Sequence, residues 1–221
     1  MLPSPAILFA IALILALFFG VWSWLTLTGS AIPEVDMGIA QHFAAWCSGP
    51  WSTENKWLIQ LMIYLTDSGG VAANFLVAII GALWQNATKQ RFLAVAWLLI
   101  ALGGGVMNVV TKHSFDRDRP PEALRDRAVL ETNKSYPSGH SMGSAVSYTM
   151  LGYVLLQTQR SRAWSLITIV ALACVIAAVG FSRIYLRAHW CSDVVGGWTI
   201  GLCWVFFCIG LLEIRRRMSV D

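Results

Sequence analysis

The chain has 221 residues, of which 57% are hydrophobic and only 13% charged, with a formal net charge of +4 at pH 7. Soluble domains carry about 25% charged residues, so an ordinary water-soluble globule is excluded. Most cations fall in short loops and after the last apolar run, which is where topology rules place them, so the positive balance does not indicate nucleic acid. There are five cysteines and no CxxC or Cys/His spacing, which implies neither a metal site nor a disulfide framework. Cys174, Cys203 and Cys208 lie in apolar runs and read as small core residues.

In chain order, the first apolar run is ILFAIALILALFFGVWSWLTL. It is too long for the core of a signal peptide and no basic residue precedes it, so it reads as a retained span over 6–27. Residues 34–47 fit a short amphipathic helix at the membrane surface. The stretch 55–86 is too long for one span, at about 48 Å of continuous helix against a hydrocarbon core of roughly 30 Å. TDSGG, residues 66–70, is the natural break, with Asp67 read as a helix cap there. Residues 55–66 then approach a second span at 71–87, and four more follow at 91–111, 140–157, 163–182 and 191–213. The expected fold is all-α: a single polytopic membrane domain over 1–221, a six-transmembrane-helix bundle with short surface helices on the active-site side.

With six spans, Lys89 and Arg91, Arg160 and Arg162, and Arg215 to Arg217 all fall on one side. By the positive-inside rule that side is cytoplasmic, and both termini lie there. The location expected is the inner membrane, with loops 112–138 and 183–190 on the extracytoplasmic side. The first loop carries six Lys or Arg but also five acids. Trp22, Trp24, Trp57, Trp84, Trp164 and Trp190 sit near span ends, as interfacial anchors do.

Three polar clusters converge on the extracytoplasmic side: KHSFDRDRP at 112–120, PSGH at 137–140 and SRIYLRAHWCSD at 182–193. Their chemistry suits a phosphate. Ser138 is a good N-cap and Gly139 lets backbone N–H groups approach a ligand at a helix N-terminus. Lys112 adds a compact charge, while Arg119 and Arg183 add planar forks that each hold two oxygens. His189 and Asp193 are four residues apart and share a helix face, so the carboxylate can fix one ring nitrogen and leave the other free to attack. His140, from another helix, can protonate the leaving oxygen. No metal or cofactor is required.

Read together, Lys112 with Arg119–Pro120, Pro137 to His140, and Ser182–Arg183 with His189 and Asp193 resemble the type 2 phosphatidate phosphatase family of membrane lipid phosphatases, relatives of the vanadium haloperoxidases. The resemblance implies His189 as a nucleophile forming a phospho-histidine, Asp193 as its partner and His140 as general acid. It also implies Lys112, Arg119, Ser138, Gly139 and Arg183 as phosphate ligands. The substrate so implied is a lipid phosphate held in the bilayer. Undecaprenyl diphosphate is favoured, with phosphatidylglycerol phosphate and phosphatidate as alternatives. Phosphotransfer to a lipid acceptor, or a non-enzymatic binder or transporter, are the rival functions. Oligomeric state is left open. Outside the signature, Arg117 and Arg187 read either as contacts to a second phosphate or headgroup, or as salt bridges to Asp116, Asp118 or Asp126. Cys191 reads as a bystander thiol and His113 as facing solvent or headgroups.

Overall fold

The computed structural model describes residues 3–48, 56–126, 129, 131–159 and 161–218. Asn55, Arg127 and Arg160, used in the sequence reading, lie outside these. Among the described residues there are eight helices and no strands. Helix α1 (Pro5–Thr28) opens with the Ser4 hydroxyl accepting the Ile7 amide and with proline in the first turn, where a missing N–H costs nothing. Helix α2 (Ala31–Ser48) is the expected surface element. Helices α3 (Lys56–Ser68) and α4 (Val71–Ala87) meet at Gly69–Gly70 with a bend of 51°. The break therefore falls at TDSGG. Asp67, however, does not cap the second helix: it lies in the last turn of α3, its carbonyl accepting from the Gly70 N–H, while α4 begins at Gly70 with no side-chain cap.

Helix α5 (Arg91–Phe115) ends on Asp116, which adopts the left-handed conformation with φ 42°. That conformation is one a short polar side chain tolerates, and it turns the following loop back toward the bundle. Helices α6 (Gly139–Thr158), α7 (Arg162–Tyr185) and α8 (Cys191–Met218) complete the chain. Helix α8 packs along both α1 and α6, and α6 is further enclosed by α4, α5 and α7. The core between them includes Leu8, Trp97, Met150, Val154, Val205 and Leu212. The outer faces are apolar too, with Leu13, Leu17, Val106, Leu166 and Val170 all exposed. An apolar exterior is stable only where the solvent is hydrocarbon, so the chain is a multi-pass membrane protein.

Four helices, α1, α5, α7 and α8, are long and apolar enough to cross a membrane, and the bent α3–α4 pair makes a fifth. The sixth expected span, α6, has the length but not the apolarity. Its Ser141, Ser144 and Ser147 are buried against neighbouring helices rather than facing lipid. Enclosure removes the need for greasy side chains and favours small ones that let backbones approach. A Cβ at Gly197 of α8 would lie 2.5 Å from the Ser138 carbonyl oxygen, so only glycine lets the two helices meet at this depth.

The two ends of the bundle differ in chemistry. At one, the Arg215 guanidinium lies 3.9 Å from the Phe92 ring centre, bringing the end of α8 to the start of α5. At the other, the end of α5, the starts of α6 and α8 and the end of α7 come together with the three polar clusters. Two expectations fail here. Cys174 is exposed on the outer face of α7 rather than in the core. Trp190 is buried, its indole N–H donating to the Asp118 carbonyl at 2.8 Å, so it is a wall of the polar end and not an interfacial anchor.

Candidate active site

His189 sits in the turn between α7 and α8. Arg187, two residues earlier, holds φ 53° with its guanidinium buried. A left-handed non-glycine residue costs of order 1–3 kcal/mol. Here it is held by donation to the Leu124 carbonyl at 2.7 Å and the Tyr185 carbonyl at 2.8 Å, with Asp126 at 3.4 Å. Arg187 thus takes the salt-bridge alternative. The turn directs the His189 ring inward, where it is almost wholly buried.

The imidazole's two nitrogens have different partners. Nδ1 lies 3.3 Å from Asp193 Oδ2 and 3.3 Å from the Ser135 hydroxyl, which itself donates to Asp193. Nε2 lies 3.2 Å from Arg119 Nη1. A guanidinium can only donate, so Nε2 is the acceptor, Nδ1 carries the proton, and the Nε2 lone pair points to Arg119 on the cleft wall. Burial, with Arg119, Arg183 and Lys112 close by, holds the His189 ring well below the ordinary imidazole range and keeps it neutral.

Asp193 is fully buried in the first turn of α8. Besides His189 and Ser135, its Oδ2 accepts the Trp190 amide at 3.0 Å, and its Oδ1 accepts from Arg117 at 2.6 Å. Arg117 also donates to Asp36 at 2.8 Å, and its guanidinium carbon lies 5.6 Å from the Trp190 ring centre. Asp36, buried on α2, accepts the Ser192 amide at 3.0 Å as well as the Ser192 hydroxyl. Arg117 therefore pairs with Asp36 and Asp193, while the loop acids Asp116 and Asp118 pair with Lys134.

A cleft of about 630 Å³ opens in front of Nε2. Lys112, Arg119, Gly139, His140 and His189 all line it. Its other walls come from α4 and α5 and are mostly apolar, including Val71, Phe75, Leu102 and Val106. Three expected site residues lie just behind this lining. Ser138 is buried as the N-cap of α6, its hydroxyl accepting the Ser141 amide at 3.4 Å and its N–H donating to the Asp193 carbonyl at 3.0 Å. Asp193 backs His189. Arg183 is buried, with one nitrogen donating to Thr66 at 2.8 Å, another to Glu131, and Nε without an acceptor. Lys112 donates to the Lys134 carbonyl. Arg119 is fixed by the Asn133 carbonyl at 2.7 Å and side chain at 2.6 Å. Burial lowers the Arg119 guanidinium to about 10, which leaves it charged at neutral pH.

Asp36, Ser135, Asn133, Thr66 and Glu131 were missed by the sequence reading. Ser135 and Asn133 lie in the short stretch leading into PSGH but look like spacer. Asp36 is a carboxylate on a surface helix, where charge is unremarkable. Glu131 is one of five acids in its loop, with no local pattern to distinguish it. His113 is exposed as expected, and Cys191 is half-buried and free. Among the described residues, no group of three or more His, Cys, Asp or Glu side chains stands in a metal-binding arrangement.

A membrane bundle with a histidine–aspartate pair and a basic cleft at one end defines a class, and the comparisons agree. Residues 92–217 match the PAP2 superfamily, and the chain belongs to that family. It is 33% identical over 165 residues to phosphatidylglycerophosphatase B of Bacillus subtilis strain 168, covering 73% of this chain and 78% of that one. It is 29% identical over 150 residues to an undecaprenyl-diphosphatase of Sulfolobus acidocaldarius, covering 66% of each. A crystal structure of a transmembrane PAP2-type phosphatidylglycerolphosphate phosphatase from Bacillus subtilis superimposes with a TM-score of 0.81 at 25% identity, over 92% of this chain and 96% of that one.

Proposed function

We propose that this chain, a membrane phosphatase by family, hydrolyses the terminal phosphate of a lipid phosphate or diphosphate through a phospho-histidine at His189. One observation carries the reading: the Nε2 lone pair of a neutral, buried His189 points to Arg119, in a cleft that is cationic at one end and apolar along α4 and α5. Such a cleft suits an amphiphile, with its phosphate among Lys112, Arg119 and Arg183 and its tail toward the bilayer. Nε2 attacks phosphorus, forming an N–P bond as the P–O bond to the lipid breaks. His140 gives its proton to the departing oxygen. Water then attacks phosphorus, the N–P bond breaks, and His140 takes up the water's proton. Asp193 stabilises the charge that grows on the ring, while the cations and the α6 N-terminus stabilise that on the phosphoryl oxygens.

Undecaprenyl diphosphate and phosphatidylglycerol phosphate are the two substrates to which the relatives' names point, with phosphatidate a third. The site is read as facing the extracytoplasmic side of the inner membrane, because Lys89, Arg162 and Arg215 to Arg217 cluster toward the other end. The test is phosphate release by detergent-purified protein with EDTA present, across these lipids and water-soluble esters. Release from the lipids but not the soluble esters, lost in His189→Gln, is expected. Activity unchanged by His189→Gln would reject the nucleophile, and phosphate transferred to an added lipid rather than to water would mark a phosphotransferase.

A further inference from the structure

Among the described residues lining the cleft, Glu131 is the only acidic one. Its carboxylate does not point idly into solvent but accepts a hydrogen bond from Arg183, in an ion pair whose guanidinium is almost wholly buried. Burial would push the Glu131 carboxyl up, but the Arg183 guanidinium outweighs it and holds the group below the usual carboxylate range. Arg183 also keeps one buried donor, Nε, without an acceptor. A buried guanidinium with no counter-anion would be strongly destabilising, and Glu131 supplies an anion in direct contact with it.

The same Arg183 nitrogen is one that a phosphate would use, because a planar fork presents its donors together to an oxyanion. A carboxylate and a phosphate cannot share it at close range without like-charge repulsion. We infer that Glu131 is an internal competitor for the phosphate seat: it holds Arg183 while the cleft is empty, gives way to an incoming phosphate ester, and returns to help expel inorganic phosphate. This rests on the phosphatase reading above and adds to it a residue that sets how tightly anions bind. The exchange is feasible because the Glu131 side chain is 31% exposed on the cleft side, whereas that of Arg183 is 3% exposed and anchored by Thr66. The acid is the partner with room to move. The carboxylate carries a single charge and hydrogen-bonds to Arg183 alone, whereas a doubly charged phosphate can address Lys112, Arg119 and Arg183 together, so substrate displaces it. The free product is the weaker case, since it has lost the tail that holds the ester in the apolar part of the cleft.

The experiment compares wild type with Glu131→Gln and Glu131→Ala in detergent. It measures the inhibition constant of inorganic phosphate against a hydrolysed lipid phosphate. It also measures the thermal stabilisation that inorganic phosphate gives each protein, which needs no turnover. Both variants are expected to bind inorganic phosphate at least tenfold more tightly and to gain a larger thermal shift, with kcat falling as product leaves more slowly. A second substitution, Arg183→Gln, is expected to erase the difference between Glu131 and Gln at that position. A wild-type inhibition constant and wild-type thermal shift in both variants would overturn the competitor role while leaving the phosphatase reading intact. Absence of turnover by wild-type protein on every lipid phosphate, with no protection by inorganic phosphate, would instead overturn the phosphatase reading and this inference with it.

Discussion

Replacing Asp193 by asparagine tests the site at its most constrained point. The carboxylate is surrounded by donors: the Trp190 amide at 3.0 Å, the Ser135 hydroxyl, His189 Nδ1 at 3.3 Å and Arg117 at 2.6 Å. An asparagine keeps one acceptor and turns the other position into a donor. If its amide nitrogen faces Arg117, two donors collide and the guanidinium keeps only Asp36 as its counter-ion. If it faces His189, it opposes the Trp190 N–H and forces Nδ1 to accept, so the proton moves to Nε2 and the attacking lone pair is lost. The tautomer error alone is worth about 10⁴ in rate in the serine-protease triad, or about 5 kcal/mol of activation free energy. Asp193→Asn is therefore expected to lower kcat by about that factor in a phosphate-release assay, with the protein still folded by thermal unfolding in detergent. Turnover within about tenfold of wild type would refute both the tautomer assignment and the role of His189 Nε2.

Other outcomes follow from the same geometry. Asp36→Ala leaves the half-buried Arg117 with one anion in place of two and removes the acceptor for the Ser192 amide, so a stability loss of about 3 kcal/mol is expected, read as a lowered unfolding midpoint. The buried ring of His189 has its protonation depressed, while in the unfolded chain it titrates near the ordinary value of about 6.5. The unfolded state therefore takes up the proton first, and stability is full above that pH and declines as pH falls below it. Denaturant unfolding between pH 7.5 and 5 should show a shallower decline for His189→Gln than for wild type. Gly197→Val places a side chain against the Ser138 carbonyl and should cost 1–3 kcal/mol or more, together with activity, because it pushes the α6 N-terminus away from α8.

The cationic and histidine clusters were legible because each is a local pattern whose chemistry shows in residue type and spacing. His189 and Asp193 are one helical turn apart, and Ser138 caps the helix it begins. The bend at Gly69–Gly70 was legible from length, which required a break, and from TDSGG, which placed it. Asp36 and Glu131 were not, since their roles arise from contacts 156 and 52 residues away along the chain. Arg117 was visible as a charge, but the loop acids beside it suggested nearer partners than the buried Asp36 and Asp193 it takes. Trp190 misled because aromatic residues at span ends serve both as interfacial anchors and as walls of buried sites. Hydropathy reports what touches lipid, so the mostly enclosed α6 lacks the apolarity of a span although its length fits one.

That last point bears on assembly. A segment carrying Ser141, Ser144 and Ser147 on its buried faces has little tendency to partition into hydrocarbon by itself, yet its contacts are with elements made before and after it. Its enclosure is complete only once α8 has been synthesised and packs along it. Since α8 also brings Asp193, the step that encloses this helix is the same step that completes the His189–Asp193 pair, and a half-inserted chain lacks the centre proposed above.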